Sequence, residues 1–136
     1  MLRDILNKIE QFGVQLNEKA SHEEITNLKK TFDFDFPNDF LDFYLSSNGY
    51  HDYYGFEKQH IWNLKKICEE NSVETDQYIK FSDHMLLSPW IGYSRIDAKI
   101  YKGYGYIIEQ NEEPTFLADS FTEFLKMIAN DEDALY

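Results

Sequence analysis

The sequence predicts an α+β fold: a single domain, residues 1–136, in which N-terminal helices and one C-terminal helix pack on a mostly antiparallel sheet. Three observations carry this reading. Apolar residues recur at helical spacing through the first half, the texture turns β-rich after Asp76, and an amphipathic helical pattern returns after Ala118. Alternating βαβ units are missing, which excludes the doubly wound nucleotide-binding folds.

The elements follow in order. Leu2, Ile5, Leu6 and Ile9 mark one face of a short helix that Phe12 and Gly13 close. Ser21 and Glu24 form a capping-box pattern ahead of Ile25 and Leu28, so a second helix begins at Ser21 and ends near Lys30. Pro37 suits the first turn of a third helix, where its missing N–H would be unpaired anyway. Phe40, Leu41, Tyr44 and Leu45 define that helix's inner face, and Asn48-Gly49 supplies the left-handed residue that ends it. A fourth helix is expected over residues 61–70, with Ile61, Leu64, Ile67 and Cys68 inward.

Residues 78–81, 86–93, 98–101, 104–109 and 115–118 read as strands, broken by Gly103 and the polar run 110–113. Pro89 cannot donate to a ladder, so an edge strand or a bulge is its expected place. Ser120 and Glu123 form a second capping pattern before Phe121, Phe124, Leu125 and Ile128.

The chain has 136 residues, a size that suits one core, and 11 Phe, 10 Tyr and 2 Trp supply that core with aromatic surface. One cysteine, Cys68, excludes an intrachain disulfide and a thiolate metal site. Charges at Arg3, Asp4, Lys8 and Glu10 interrupt the first apolar stretch, and no run nears the roughly 18 apolar residues of a membrane span. A cytoplasmic protein is expected. Twenty-five acidic residues against 13 basic ones give a formal net charge of -12. That field repels nucleic acid and anionic lipid, and it attracts cationic partners.

Catalytic signatures fail one by one. His22-Glu23-Glu24-Ile25-Thr26 has threonine where a zinc-protease helix needs its second histidine, and Gly103-Tyr104-Gly105 lacks the third glycine of a phosphate cradle. No nucleophile elbow surrounds a serine. Cys68 on an inward face reads as a small hydrophobe. His51-Asp52 and Asp83-His84 are pairs that could orient an imidazole, but no third group converges on either. Neither a cofactor, a metal site nor an enzyme activity is expected.

Asp33, Asp35, Asp39 and Asp42 lack the glycine and terminal glutamate of a calcium loop, and read as a solvated acidic face at the entrance to the third helix. Tyr50-His51-Asp52-Tyr53-Tyr54-Gly55-Phe56 places rings beside an acid, either as a contact surface or as strand residues of the core. Asp33, Asp35, Asp39, Asp52, Tyr53 and Tyr54 are the candidate partner-binding residues. Glu69, Glu70, Glu74 and Asp76 form a rival acidic patch.

The ordered set of elements resembles the SUKH superfamily, which includes the fungal SMI/KNR cell-wall regulators and many bacterial immunity proteins. The likeness rests on Phe36-Pro37-Asn38-Asp39-Phe40-Leu41 through Asn48-Gly49, then Ile61-Trp62-Asn63-Leu64. It continues with Tyr78-Ile79-Lys80-Phe81-Ser82-Asp83 and Ala118-Asp119-Ser120-Phe121-Thr122-Glu123-Phe124-Leu125. It spans residues 21–130, with Phe36 where leucine often precedes the proline and Tyr50 where a small residue often follows the Asn-Gly. The resemblance implies an immunity protein that binds and neutralises a bacterial toxin, often a nuclease, and the residues that match are structural. The expected partner is a cognate, basic toxin domain, and the expected state is a monomer or weak homodimer. Two other readings stand beside it: a regulatory or scaffold adaptor, and a pocket protein built on His51, His60 or His84.

Overall fold

Three helices come first, and each begins where local chemistry dictates. The computed structural model describes residues 1–51, 59–71, 77–84, 89–104 and 113–136. Helix α1 spans Leu2–Glu10 and buries Ile5, Leu6 and Ile9; the following turn ends at Gly13, whose φ of 93° is left-handed. Helix α2, His22–Phe32, starts on a complete capping box: Ser21 Oγ accepts from Glu24 N–H at 3.1 Å, and Ser21 N–H donates to the Glu24 carboxylate at 3.0 Å. It runs past Lys30 to Phe32 because Asp33 takes the left-handed conformation, φ 46°, that closes the helix.

Helix α3 covers Asn38–Ser46 with Pro37 as its N-cap, one residue outside the first turn. Phe40, Phe43 and Tyr44 face inward, whereas Leu45 is exposed. The expected inner stripe is thus rotated by Phe43, because three rings at i, i+3 and i+4 fill the core better than the flanking leucines. Ser47, not Asn48-Gly49, ends this helix, in extended conformation. Gly49 has a different task. A Cβ there would lie 2.5 Å from the carbonyl oxygen of Trp62, so only glycine lets the two backbone segments approach.

A two-residue strand, β1, His60–Ile61, stands where the fourth helix was expected to start. The helix itself, α4, Leu64–Glu70, begins three residues later because Asn63 caps it through Lys66 N–H at 2.8 Å. Strands β2 (Tyr78–Asp83), β3 (Trp90–Ser94), β4 (Ile100–Gly103) and β5 (Thr115–Ala118) complete an antiparallel sheet in sequence order β1-β2-β3-β4-β5. Strand β5 falls where the sequence predicts it. Two others shift toward the C-terminus: β3 ends on Ser94, and β4 covers residues 100–103 instead of 98–101, because the turn before it ends at Ala98, in the left-handed region. Pro89 sits on neither an edge strand nor a bulge. It immediately precedes the central strand, where its carbonyl accepts from His84 N–H at 2.9 Å and no ladder N–H is demanded of it. Of the expected strand at 104–109, Tyr104 lies outside any strand, and 105–109 fall outside the described residues, as do 86–88.

Helix α5, Phe121–Ala129, begins at Ser120, whose Oγ accepts from Glu123 N–H at 3.1 Å, and a 3-10 turn, Asp133–Leu135, follows it. Glu123 lies 3.6 Å from Lys126, so the Ser120 pattern yields a simple N-cap with an ion pair on the helix surface. The core forms where α3 and α5 press on the sheet. Phe40 touches Phe36, Tyr44, Phe81, Tyr93 and Phe121, with centroids 4.7 to 5.9 Å apart. Burying each such ring stabilises the fold by about 2–3 kcal/mol.

Several buried polar groups among the described residues are bonded within the protein. Tyr44 Oη donates to the Trp62 carbonyl at 2.7 Å, and Trp62 Nε1 donates to Asp83 Oδ1 at 2.8 Å. Gln59, fully buried, donates to the Leu135 carbonyl at 3.0 Å and accepts from Ser82 Oγ at 2.8 Å. Asn71 accepts from Lys80 N–H at 2.8 Å and donates to the Lys80 carbonyl at 2.9 Å, supplying that residue of β2 with the amide partner that the short β1 does not reach.

The two edges of the sheet are treated differently. Beside β1, Tyr50 N–H donates to the Ile61 carbonyl at 2.8 Å, and the same segment bridges to Leu16, so the chain covers that edge with its own extended backbone. Among the described residues nothing pairs with the outer side of β5. On the face of the sheet turned away from Phe81 and Tyr93, the rings of Trp90, Tyr78, Tyr101 and Phe116 follow one another with centroids 5.5, 5.6 and 5.9 Å apart.

Candidate protein-binding surface

The acidic entrance to α3 has a simple local cause. In the stretch from Asp33 to Phe36 apolar and acidic residues alternate, so Phe34 and Phe36 turn inward, 5.8 and 6.2 Å from Tyr93, while Asp33 and Asp35 stay exposed. The rings anchor the backbone and the carboxylates point into water. Asp42 is exposed on the next helix, so three of the four acids at this entrance lie open to solvent.

Asp39 differs. It is half-buried, and its Oδ2 accepts from Thr122 N–H at 2.8 Å and from Thr122 Oγ1 at 3.0 Å, while Oδ1 accepts from Phe40 N–H at 2.9 Å. Its carboxylate therefore ties α3 to the N-terminal turn of α5, where a negative charge also meets the positive end of the helix dipole. Asp52, Tyr53 and Tyr54 lie outside the described residues. Tyr50, at the head of the same segment, is a core residue, 2% exposed. In the rival patch Glu69 is exposed, 3.8 Å from Lys65, and Glu70 is half-buried; Glu74 and Asp76 lie outside the described residues.

Two histidines lie apart on the surface, and two are neighbours at one end of β1 and β2, where His60 stands opposite Asp83, the residue before His84. His22 opens α2 on the surface, His51 is exposed, His60 packs its ring 5.6 Å from Tyr50, and His84 lies 4.8 Å from the ring of Tyr136. Asp83, the neighbour of His84, accepts from the Trp62 indole through Oδ1. Cys68 is half-buried, and burial pushes its thiol up, opposed by a hydrogen bond with Thr31. Among the described residues no three His, Cys, Asp or Glu gather as a metal site, and no helix is long and apolar enough to cross a membrane.

Burial pushes the hydroxyls of Tyr44 and Tyr93 well above the ordinary tyrosine range, with Tyr50 adding to the effect on the first and Asp39 on the second. Both are core groups held neutral.

This order of elements, with Pro37 capping α3, Gly49 against Trp62 and Ser120 capping α5, is matched at the level of whole families: residues 19–127 match the SMI1 / KNR4 family (SUKH-1). The chain belongs to the SMI1 / KNR4 family. No curated protein gives a match. In this SMI1 / KNR4 domain Pro37 and Ser120 cap helices, and Gly49 permits close approach of two backbone segments.

One feature of this SMI1 / KNR4 surface escaped sequence reading: the open edge of β5, where Thr115 and Phe116 are exposed between the exposed acids Glu113 and Asp119. The signal available was a four-residue uncharged stretch, Thr-Phe-Leu-Ala, enclosed by acids and preceded by Pro114.

Proposed function

We propose that this chain is a non-catalytic immunity protein of the cytoplasm that binds a cationic toxin domain and blocks it by occupying its active site or substrate groove. The observation that carries this reading is the division of labour between interior and exterior in a chain of net charge -12. Its buried polar side chains, Ser47, Gln59, Asn71, Ser82, Asp83 and Ser94, are engaged in internal hydrogen bonds, whereas acids such as Asp33, Asp35 and Asp42 face solvent. Membership of the SMI1 / KNR4 family supports the same reading. Asp33 and Asp35 are its leading contact residues, with Asp52, Tyr53 and Tyr54 as further candidates, while Asp39 is engaged with Thr122.

Close interfacial charge pairs couple by about 1.5–7 kcal/mol, and an opposite field accelerates capture. Co-expression with the product of the adjacent gene, followed by co-purification and a growth-protection assay, tests the proposal. A stable complex is expected whose association rate falls steeply with added salt. Absence of a complex with any neighbouring gene product, or full protection by a variant with Asp33, Asp35 and Asp52 changed to Lys, counts against it.

A further inference from the structure

We infer that the outer edge of β5 is a strand-addition site that accepts an extended, lysine- or arginine-flanked segment of a partner protein. An unpaired edge presents a row of N–H and C=O groups, and proteins normally blunt it by charge, proline or cover. Here the edge beside β1 is covered by residues 49–51, but the β5 edge has no partner among the described residues. Strand β5 itself carries no charge, and Phe116 is 49% exposed at the end of the ring series on the outer face of the sheet. The charges stand at its two ends: Glu113 before it and Asp119 after it, the latter 72% exposed and 3.2 Å from Lys99.

Charge decides the occupant. After Tyr104 the chain holds eight acidic residues and one lysine, Lys126. A second copy pairing antiparallel about Phe116 would set Glu113 against Asp119 of that copy, a like-charge contact within a chain of net charge -12. An incoming strand with basic residues at both ends instead meets an acid at each end, while main-chain bonds to β5 supply affinity and Phe116 offers an apolar contact to one face.

This inference rests on the cationic partner proposed above and names where it docks. Its test needs no toxin. The probe is a short peptide with a Thr-Val-Thr-Val-Thr centre and two lysines at each end, added to the full chain and followed by amide exchange. Protection of the β5 amides that point away from β4, those of alternate residues, is expected, with affinity at least ~10-fold above that of a glutamate-flanked counterpart. Of two isomers N-methylated on alternate residues, one should lose binding and the other keep it, since only one edge of the peptide faces β5. Charge reversal by Glu113→Lys with Asp119→Lys should invert the preference between the two peptides. Equal binding of the N-methyl isomers, unchanged charge preference, or a Phe116-dependent dimer in sedimentation overturns the site. A peptide that fails while a toxin complex still forms removes the edge and leaves the immunity reading intact; the converse removes only the latter.

Discussion

Asp39 illustrates how one carboxylate can be mistaken for a surface charge. In sequence it belongs to a run of acids, yet its two bonds to Thr122 cross 83 residues to cap α5. Asp39→Ala is expected to cost about 1–3 kcal/mol in urea denaturation, and Asp39→Asn, which keeps an acceptor, clearly less. Tyr93 gives the opposite expectation. Its ring is fully buried but its hydroxyl has no hydrogen-bond partner among the described residues, so Tyr93→Phe should leave stability unchanged or raise it by about 1 kcal/mol. Because burial raises the hydroxyls of Tyr44 and Tyr93, the unfolded chain releases these protons first, near the ordinary value of 10.0. Their contribution to stability is therefore complete below that pH and lost progressively above it. Denaturation midpoints should fall in alkaline solution, and phenolate absorbance from these two rings should appear only with unfolding.

Among the elements, α2 and α5 show what periodicity and capping chemistry can specify. Ser21 and Ser120 start the helices where their sequence patterns say, and strand β5 has the boundaries expected from its residues. Other features depended on contacts distant in sequence. Strand β1 is too short to show alternation, and it exists because Ile61 lies between β2 and the backbone of Tyr50. Leu45 and Phe43 exchange places because the ring cluster, with Phe43 lying 5.3 Å from Phe121, decides which face of α3 is buried. Gly49 was legible as a left-handed glycine, φ 77°, but its close approach to Trp62 was not. Gly49→Ala meets both obstacles and should destabilise by more than about 2 kcal/mol, measured by thermal and urea unfolding. The exposure of Asp33 and Asp35 was legible in the sequence as a solvated acidic face. The β5 edge was not, since an unpaired edge is a property of the assembled sheet.

At the scale of the whole molecule, the surplus of acids sets behaviour that no single pair explains. Surface ion pairs such as Lys65–Glu69 and Lys126–Glu123 contribute little each. The remaining negative charges repel one another, and a Debye length of about 8 Å at physiological salt already screens much of that repulsion. Raising sodium chloride from low to moderate concentration should therefore increase the melting temperature of the isolated chain while slowing capture of a cationic partner. Measuring both in one salt series separates self-repulsion from steering, because the two respond with opposite sign.

The buried amide of Gln59 binds the Leu135 carbonyl 76 residues away, and Leu135 is itself fully buried. Strands β1 to β4 precede that acceptor in the chain, and a core folded without residue 135 would hold a desolvated amide with one bond missing. A chain truncated before residue 135 should thus be more protease-sensitive than one that carries Leu135, although every strand of the sheet is present in both.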